Sequence, residues 1–432
     1  MASGRSGPSS GPPVGSPPMA ASYDPPTETA EQAAFRTEAR AFLEAHAEPR
    51  AEADPWEVIG FPDDAEALAH FEKCRTWQRT LADHGWAGLS WPAEYGGGGF
   101  EAWANRVFAE ESARFGSNAG FVMASMSMLG PTLLALGTEE QKLRYLPPML
   151  RADETWCQLF SEPGAGSDLA GLATRAVVDG DEFVVDGQKV WNSSAQFCNW
   201  GFLLVRTDPN VPKHRGISFL LLDMSSPGVE VRPLVQANGS AHFNEVFLTG
   251  VRIPVANIVG DLHGGWGPTR MVLGNEASFI GGSGGGRRTT DRLIDLARLF
   301  GRQEDPVVRQ ELARAYSRER IVGLMGRRMR DIVREGGQPP FDPALTKVFF
   351  TDSKVHTGQV AAAIAGPSGM ATMPDDDRVS RWVQAEVINR FTISIGGGTT
   401  EVQKNNLGER SLGLPREPRG DKDVPWKDVP RS

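Results

Sequence analysis

The chain reads as an α+β protein in which a helical N-terminal region, a strand-rich middle and a second helical region follow one another along the sequence. Three observations predict this. Helical periodicity with capping residues dominates to about residue 152; short β-branched and aromatic runs separated by tight turns replace it over 153–262; long helical patterns return over 263–412.

Residues 1–28 are rich in Gly, Ser and Pro and contain no apolar run of signal-peptide type, so a disordered tail is expected, with Met19 a candidate start. Thr29 and Gln32 then fit a capping box, and Phe35, Ala39, Phe42 and Leu43 recur at helical spacing. Further helices are predicted over 71–84, 103–115 and 139–150, completing a helical domain over 29–152. In the middle domain, 153–262, the runs 176–178, 183–185, 201–205, 216–222, 229–234 and 245–248 read as strands, separated by Asp-Gly, Pro-Gly and similar turns. The Gly264-Gly265-Trp266-Gly267 turn closes it, the helical region 263–412 follows, and 413–432 is a polar tail. Within that tail Arg419-Gly420-Asp421 has the form of an adhesion motif, read here as a chance match. The glycine-rich run 281–286 is no phosphate loop, because no strand precedes it and no Gly-Lys-Ser/Thr follows. Its small residues permit close helix packing or leave a cavity.

With 432 residues and 40% apolar content the chain can bury two or three sizeable cores. A net charge of −9 argues against broad capture of nucleic acid. No stretch reaches the ~18 apolar residues of a membrane span. Cys74, Cys157 and Cys198 include no Cys-x-x-Cys pair, so neither a disulfide framework nor a zinc site is expected, and a reducing cytoplasm is the expected compartment. His214, His242 and His263 read as solvated or structural, and no metal is expected.

The chemistry concentrates in two segments. Residues 158–168 (QLFSEPGAGSD) run from an apolar strand into a Pro/Gly turn with hydroxyl donors; 189–194 (KVWNSS) end another extended run. Glycines let backbone N–H groups approach an anion, Ser161 and Ser167 add donors, and Trp191 offers a flat apolar face. The combination suits a flat, phosphate-bearing cofactor such as a flavin dinucleotide.

In their order and spacing these segments resemble the acyl-CoA dehydrogenase family, and the resemblance extends from about Thr29 to Pro418. It is carried also by 86–97 (WAGLSWPAEYGG), 137–142 (GTEEQK) with 145–147 (YLP), 397–405 (GGTTEVQKN) and 408–416 (GERSLGLPR). The resemblance implies a helical N-terminal domain, a middle β-barrel domain and a C-terminal four-helix bundle. It implies an FAD enzyme that removes hydrogen from the α and β carbons of an acyl-CoA thioester, giving a trans-2-enoyl-CoA. Electrons would pass to an electron-transfer flavoprotein or similar acceptor, and the assembly would be a homodimer or homotetramer, or a hetero-oligomer with a related subunit.

The resemblance also distributes roles. Gln158, Phe160, Ser161, Gly166, Ser167, Trp191, Asn192 and Ser193 would meet the flavin, with Ser167 also near the substrate's pantetheine. Gly274, Asn275 and Gly397 would border the substrate, and Arg298, Phe300, Gly366, Thr399 and Glu401 would serve the adenine end of a cofactor. Medium-chain members place the catalytic carboxylate where this chain has Gly397; isovaleryl-type members supply it from an earlier helix, where this chain has Glu276. Ala277 stands where many relatives follow that Glu with Arg. At the adenine end Ala297, Ala363 and Pro367 replace groups that relatives use as donors. Two alternatives therefore stand beside the dehydrogenase: a non-catalytic partner subunit completing another chain's flavin site, and a flavin monooxygenase on the same fold.

Overall fold

The computed structural model describes residues 28–50, 56, 58, 64–116, 120, 122, 125–282, 288–334, 342–369, 378–416, 418 and 420–430. The expected N-terminal tail, but for Glu28, and the glycine-rich run from 283 onward lie outside the described residues.

Helix α1 (Ala30–His46) begins at the Thr29–Gln32 capping box and buries Phe35, Ala39, Phe42 and Leu43, the positions its periodicity selects. It packs on α3 (Ala102–Ser112), where Phe35 meets Trp86, Phe100 and Trp103 edge-on, each at 5.2 Å between ring centres. Two bounds of the predicted N-terminal helices shift by more than one residue. Helix α2 (Asp64–Asp83) starts seven residues before the predicted 71, through the alanine-rich stretch at Ala65, Ala67 and Ala69 whose high propensity extends the helix beyond its apolar stripe. Helix α3 stops short of 115 because Phe115 leaves it to form a bridge with Pro49. Helices α4 (Gly130–Leu136) and α5 (Glu139–Leu150) complete the domain, and α5 opens on a second capping box, Thr138 with Gln141. The Gln141 amide also donates to the carbonyls of Ala256 and Ile258 at 2.9 and 2.7 Å, fastening the helices to the middle domain.

That domain is a curled seven-stranded sheet: β1 (Trp156–Leu159), β2 (Arg175–Asp179), β3 (Glu182–Val190), β4 (Trp200–Arg206), β5 (Ile217–Asp223), β6 (Val229–Leu234) and β7 (Phe243–Pro254). Its ladder runs β1-β4-β2-β3-β7-β6, with β5 on β4. Alternation along β4 explains why its residues are buried on both faces. Phe202 and Leu204 join Trp156, Phe219 and the α4–α5 residues in the core shared with the helices, while Leu203 and Val205 join Phe183, Val185, Leu220 and Val246 inside the curl.

Helix α6 (Trp266–Gly282) lies against β5, α4 and the single turn at 125–129. In the rest of the helical region α7 (Thr289–Leu299), α8 (Pro306–Arg334), α10 (Arg378–Asn389) and α12 (Thr400–Asn406) pack around α9 (Pro343–Ala365), with the short α11 (Thr392–Ile395) at its side. Asp342 caps α9 and Pro343 begins it. Gly358 lets α10 close on it, since a Cβ there would sit 2.7 Å from the Glu386 carbonyl oxygen. The core of this region is Leu293, Leu296, Ala297, Val360, Ala361, Ile364 and Trp382. Residues 420–430 turn back onto the middle domain, where Pro425 bridges Pro212.

Candidate active site

The loop leaving β1 is shaped from within. Glu162 and Ala165 exchange both backbone hydrogen bonds, at 3.1 and 3.0 Å, which closes the Pro/Gly turn. The buried Glu162 carboxylate accepts the backbone N–H groups of Ala173 and Thr174 at 2.6 and 2.9 Å, and the Lys189 ammonium at 2.8 Å. Lys189 is fully buried and donates also to the Phe160 carbonyl at 3.0 Å. Burial raises the Glu162 carboxyl, but Lys189 and the donors around it more than reverse this and hold it below the usual carboxylate range. This pair ties the loop to the end of β3, and the Val190 N–H adds a bond to the Ser161 carbonyl at 2.9 Å. Within the loop Phe160 is buried and Ser161 half-buried, while Gly166 and Ser167 lie exposed on the turn.

The end of β3 presents alternate faces. Asn192 turns inward, its amide donating to the Gln158 carbonyl at 2.7 Å while Asn244 donates to the Asn192 carbonyl at 2.9 Å. Trp191 and Ser193 turn outward and are exposed. Trp191 is 57% exposed, and its φ of +63° lies in the left-handed region. Such a conformation costs a non-glycine residue about 1–3 kcal/mol, and an exposed indole recovers little of that by burial. Phe243 meets it in an edge-to-face contact at 5.7 Å between ring centres. An exposed indole next to the Ser193 hydroxyl, on a segment tied through Lys189 and Val190 to the loop that carries Ser161 and Ser167, fits an isoalloxazine ring and its phosphate chain, so the residues present suit a flavin dinucleotide.

Three elements converge beside this rim. Glu276, half-buried on α6, is hydrogen-bonded by the Gln158 side chain at the end of β1 and feels the positive charge of Lys347 on α9. Burial raises its pKa above the ordinary carboxylate value, more than Gln158 and Lys347 lower it. Lys347 in turn donates to the Gly396 carbonyl at 2.6 Å, which brings the 396–398 turn to the same place. Gly397 and Gly398 have φ of +65° and +84°, a backbone that a glutamate at 397 would adopt only under strain. Immediately before Glu276 on α6, Gly274 is exposed and the Asn275 amide donates to the Met128 carbonyl at 3.4 Å.

Of the adenine-end candidates, Arg298, Phe300 and Gly366 lie elsewhere, whereas Thr399 and Glu401 directly follow the 396–398 turn. Arg298 is exposed and paired with Asp295 at 3.2 Å, and Phe300 packs on the core of α7–α10. Arg302 donates to the Ala363 carbonyl at 2.8 Å and to Asp305 at 2.6 Å. Gly366 ends α9 with a φ of +57°. Lys347 and Ala365 are separated by about 27 Å of helix α9 at 1.5 Å per residue, so this group and Glu276 lie at opposite ends of α9. Thr399 caps α12, accepting the Val402 N–H at 3.2 Å, and Glu401 is exposed on the first turn.

Sequence reasoning missed Lys189 and Lys347. Lys189 had a readable signal: it shares the inward period-two face of β3 with Phe183 and Val185, where an ammonium demands a buried carboxylate. Lys347 had none. His242 bonds Gln236 at 3.0 Å and His263 bonds Thr207 at 2.7 Å, both structural contacts. Among the described residues no group of three or more His, Cys, Asp or Glu could hold a metal ion, and no helix is long and apolar enough to cross a membrane.

Comparison with known proteins places this arrangement. The chain matches the acyl-CoA dehydrogenase N-terminal domain over residues 29–153, the middle domain over 157–251 and the C-terminal domain over 263–412. It is 38% identical over 355 residues to acyl-CoA dehydrogenase IpdE1 of Mycobacterium tuberculosis (strain ATCC 25618 / H37Rv), covering 81% of this chain and 90% of that protein. Acyl-CoA dehydrogenase FadE29 of the same organism is 33% identical over 359 residues, covering 82% and 92%. Among solved structures, the Tcur3481-Tcur3483 steroid ACAD superposes with a TM-score of 0.73 at 31% identity, covering 90% of this chain and 99% of that one. The ChsE4-ChsE5 complex from Mycobacterium tuberculosis gives a TM-score of 0.67 at 29% identity, covering 90% and 99%. The three-domain architecture, the matched domains and these relatives together make the chain a member of the acyl-CoA dehydrogenase family, an oxidoreductase whose cofactor is FAD.

Proposed function

We propose that the chain dehydrogenates a bulky, ring-bearing acyl-CoA thioester to its trans-2-enoyl-CoA, with Glu276 as the catalytic base. The observation that carries this reading is the half-buried Glu276 carboxylate, raised in pKa and held by Gln158, beside a turn where Gly397 leaves the other carboxylate position empty of side chain. A base of this kind takes the α proton while the C–H bonding pair becomes the new C=C bond. Bound FAD supplies the acceptor for the β hydrogen, which leaves with its electron pair as hydride. Trp191, Ser161 and Ser193 would hold the ring, and Ser167 would meet the pantetheine. An electron-transfer flavoprotein fits as the onward acceptor, and the free cysteines Cys74, Cys157 and Cys198 suit a reducing cytoplasm.

The substrate class rests on the open α6 side of the site at Gly274, and on the steroid named for the Tcur3481-Tcur3483 structure. Assembly with a related subunit is supported by the adenine end. Ala297 is fully buried, Arg302 is engaged by Ala363 and Asp305, and Pro367 has no N–H to give. A flavin served by this end of the chain would need donors from elsewhere. Leu299, Val307, Ile395 and Leu412, exposed by 60–73%, offer apolar surface for a neighbouring chain.

Anaerobic titration of the flavin-loaded protein, alone and co-purified with a related subunit, tests the reading. Polycyclic acyl-CoA thioesters should bleach the flavin faster than butyryl-CoA does. Bleaching by straight chains only would remove the substrate class, and no bleaching by any thioester in either preparation would remove the activity.

A further inference from the structure

The turn that carries Ser167 is pinned from two sides. Glu162 holds its inner end through Ala173 and Thr174. Its outer end, 168–172, is gripped by side chains of the middle domain and of the C-terminal tail. Arg206, almost fully buried on β4, donates to the Ala170 carbonyl at 2.5 Å and to the Lys213 carbonyl at 2.5 Å. Trp426 covers that guanidinium at 4.8 Å, and its indole N–H donates to the Gly171 carbonyl at 3.1 Å. The Lys213 ammonium lies between two carboxylates, Asp168 at 2.9 Å and Asp421 at 2.7 Å. The tail is itself anchored by main-chain bonds, Trp426 N–H to the Val211 carbonyl at 2.9 Å and Lys427 N–H to the Pro209 carbonyl at 3.0 Å. Asp421, the acidic end of the adhesion-like triplet, is therefore spent on an internal ion pair.

Three of these contacts, to the Asp168 carboxylate and to the Ala170 and Gly171 carbonyls, fall within four residues of Ser167, on a turn that buries Leu169, Ala170 and Leu172 but leaves Ser167 and Asp168 exposed. Lys213 keeps only 13% of its side-chain exposure and Asp421 28%, so this ion pair is better shielded from water than the one to Asp168, which is 63% exposed. Burial works against the Lys213 charge, but the bonds to Asp421 and Asp168 outweigh it and raise its pKa. We propose that residues 420–429 are a strap whose Asp421 and Trp426 act as positioning residues, presetting the 167–172 turn for acyl-CoA. The proposal deepens the reading above and rests on Ser167 meeting the pantetheine. A turn already ordered in the free enzyme loses less freedom when the ligand arrives, so the strap acts on affinity and leaves the proton and hydride steps alone.

The test compares the flavin-loaded full chain with a chain ending at Arg416, with Trp426→Ala, and with Trp426→Phe, which keeps a ring over Arg206 but cannot donate to Gly171. A 2-enoyl-CoA, which cannot reduce the flavin, is titrated against flavin absorbance, and hydrogen exchange is followed at the amides of 168–173. Truncation and Trp426→Ala should weaken binding about tenfold while the flavin-reduction rate at saturating substrate stays within about twofold of the parent. Exchange at the Gly171 and Leu172 amides should quicken, Trp426→Phe should fall between, and excess peptide of sequence 417–432 should restore the truncated chain. Unchanged affinity, or a reduction rate that falls as far as affinity does, overturns the proposal. Should the intact protein bind no acyl-CoA, the substrate reading fails instead, and the strap stands or falls on the exchange at 168–173.

Discussion

Two residues are held in states that local preference disfavours, and both face the same rim. Trp191 is exposed in left-handed backbone, and Glu276 keeps a carboxylate in a half-buried place where burial raises its pKa above 4.5. Natural proteins carry such costs where a ligand or a reaction uses them. For Glu276 the direction of pH dependence follows. Only the deprotonated form accepts a proton, so the rate of flavin reduction by substrate should rise with pH through the raised value and be lost as pH falls through it. Lys347 faces the carboxylate and lowers its pKa, and Gln158 does the same by hydrogen bonding. Stopped-flow reduction across pH should therefore place the midpoint above the ordinary carboxylate value, and Lys347→Met should move it higher still. A profile flat from pH 5 to 8 in both proteins would remove Glu276 from the proton transfer. The same shift acts on stability. The folded state binds this proton more tightly than the unfolded chain, so stability falls as pH rises through the window above 4.5.

At the scale of elements, β3 and the loop after β1 are joined by the buried Lys189–Glu162 pair, and this junction sets the distance between Ser161 and Trp191. Removing one partner leaves the other charge buried and uncompensated. Lys189→Met should lower the folding free energy of the flavin-loaded protein by about 3–5 kcal/mol, read as a denaturant midpoint, whereas the double change with Glu162→Leu should recover part of it. Equal midpoints for parent and Lys189→Met would mean the pair contributes nothing net. Much at this scale was legible. The Thr29–Gln32 capping box, the period-two runs and the Pro/Gly turn each rest on local chemistry that a sequence displays directly. Bounds shifted where a distant residue decides them, as when Pro49 draws Phe115 out of α3, or where propensity outlasts amphipathicity, as at Ala65–Ala69 of α2.

At the scale of the whole molecule, the candidate site joins one residue from each of three distant segments: Gln158 from the sheet, Glu276 from α6 and Lys347 from α9. Motif frame pointed to the first two. Lys347 carries no motif and sits on a helix whose pattern says only that it is helical, so its meeting with Gly396 is a product of packing. The docking of 420–430 was illegible for the same reason, since a polar tail shows its partners only when Arg206, Lys213 and Gly171 are already in place. The central claim is that Glu276 is the base around which these domains assemble the site. It is tested most directly by anaerobic reduction of the Glu276→Gln holoenzyme, in whatever assembly the parent forms. Gln keeps the shape and the hydrogen-bonding atoms but accepts no proton. Flavin content and thioester binding should persist while the reduction rate falls about 10²–10⁴-fold. Reduction at close to the parental rate would contradict the claim and leave Glu276 a structural carboxylate.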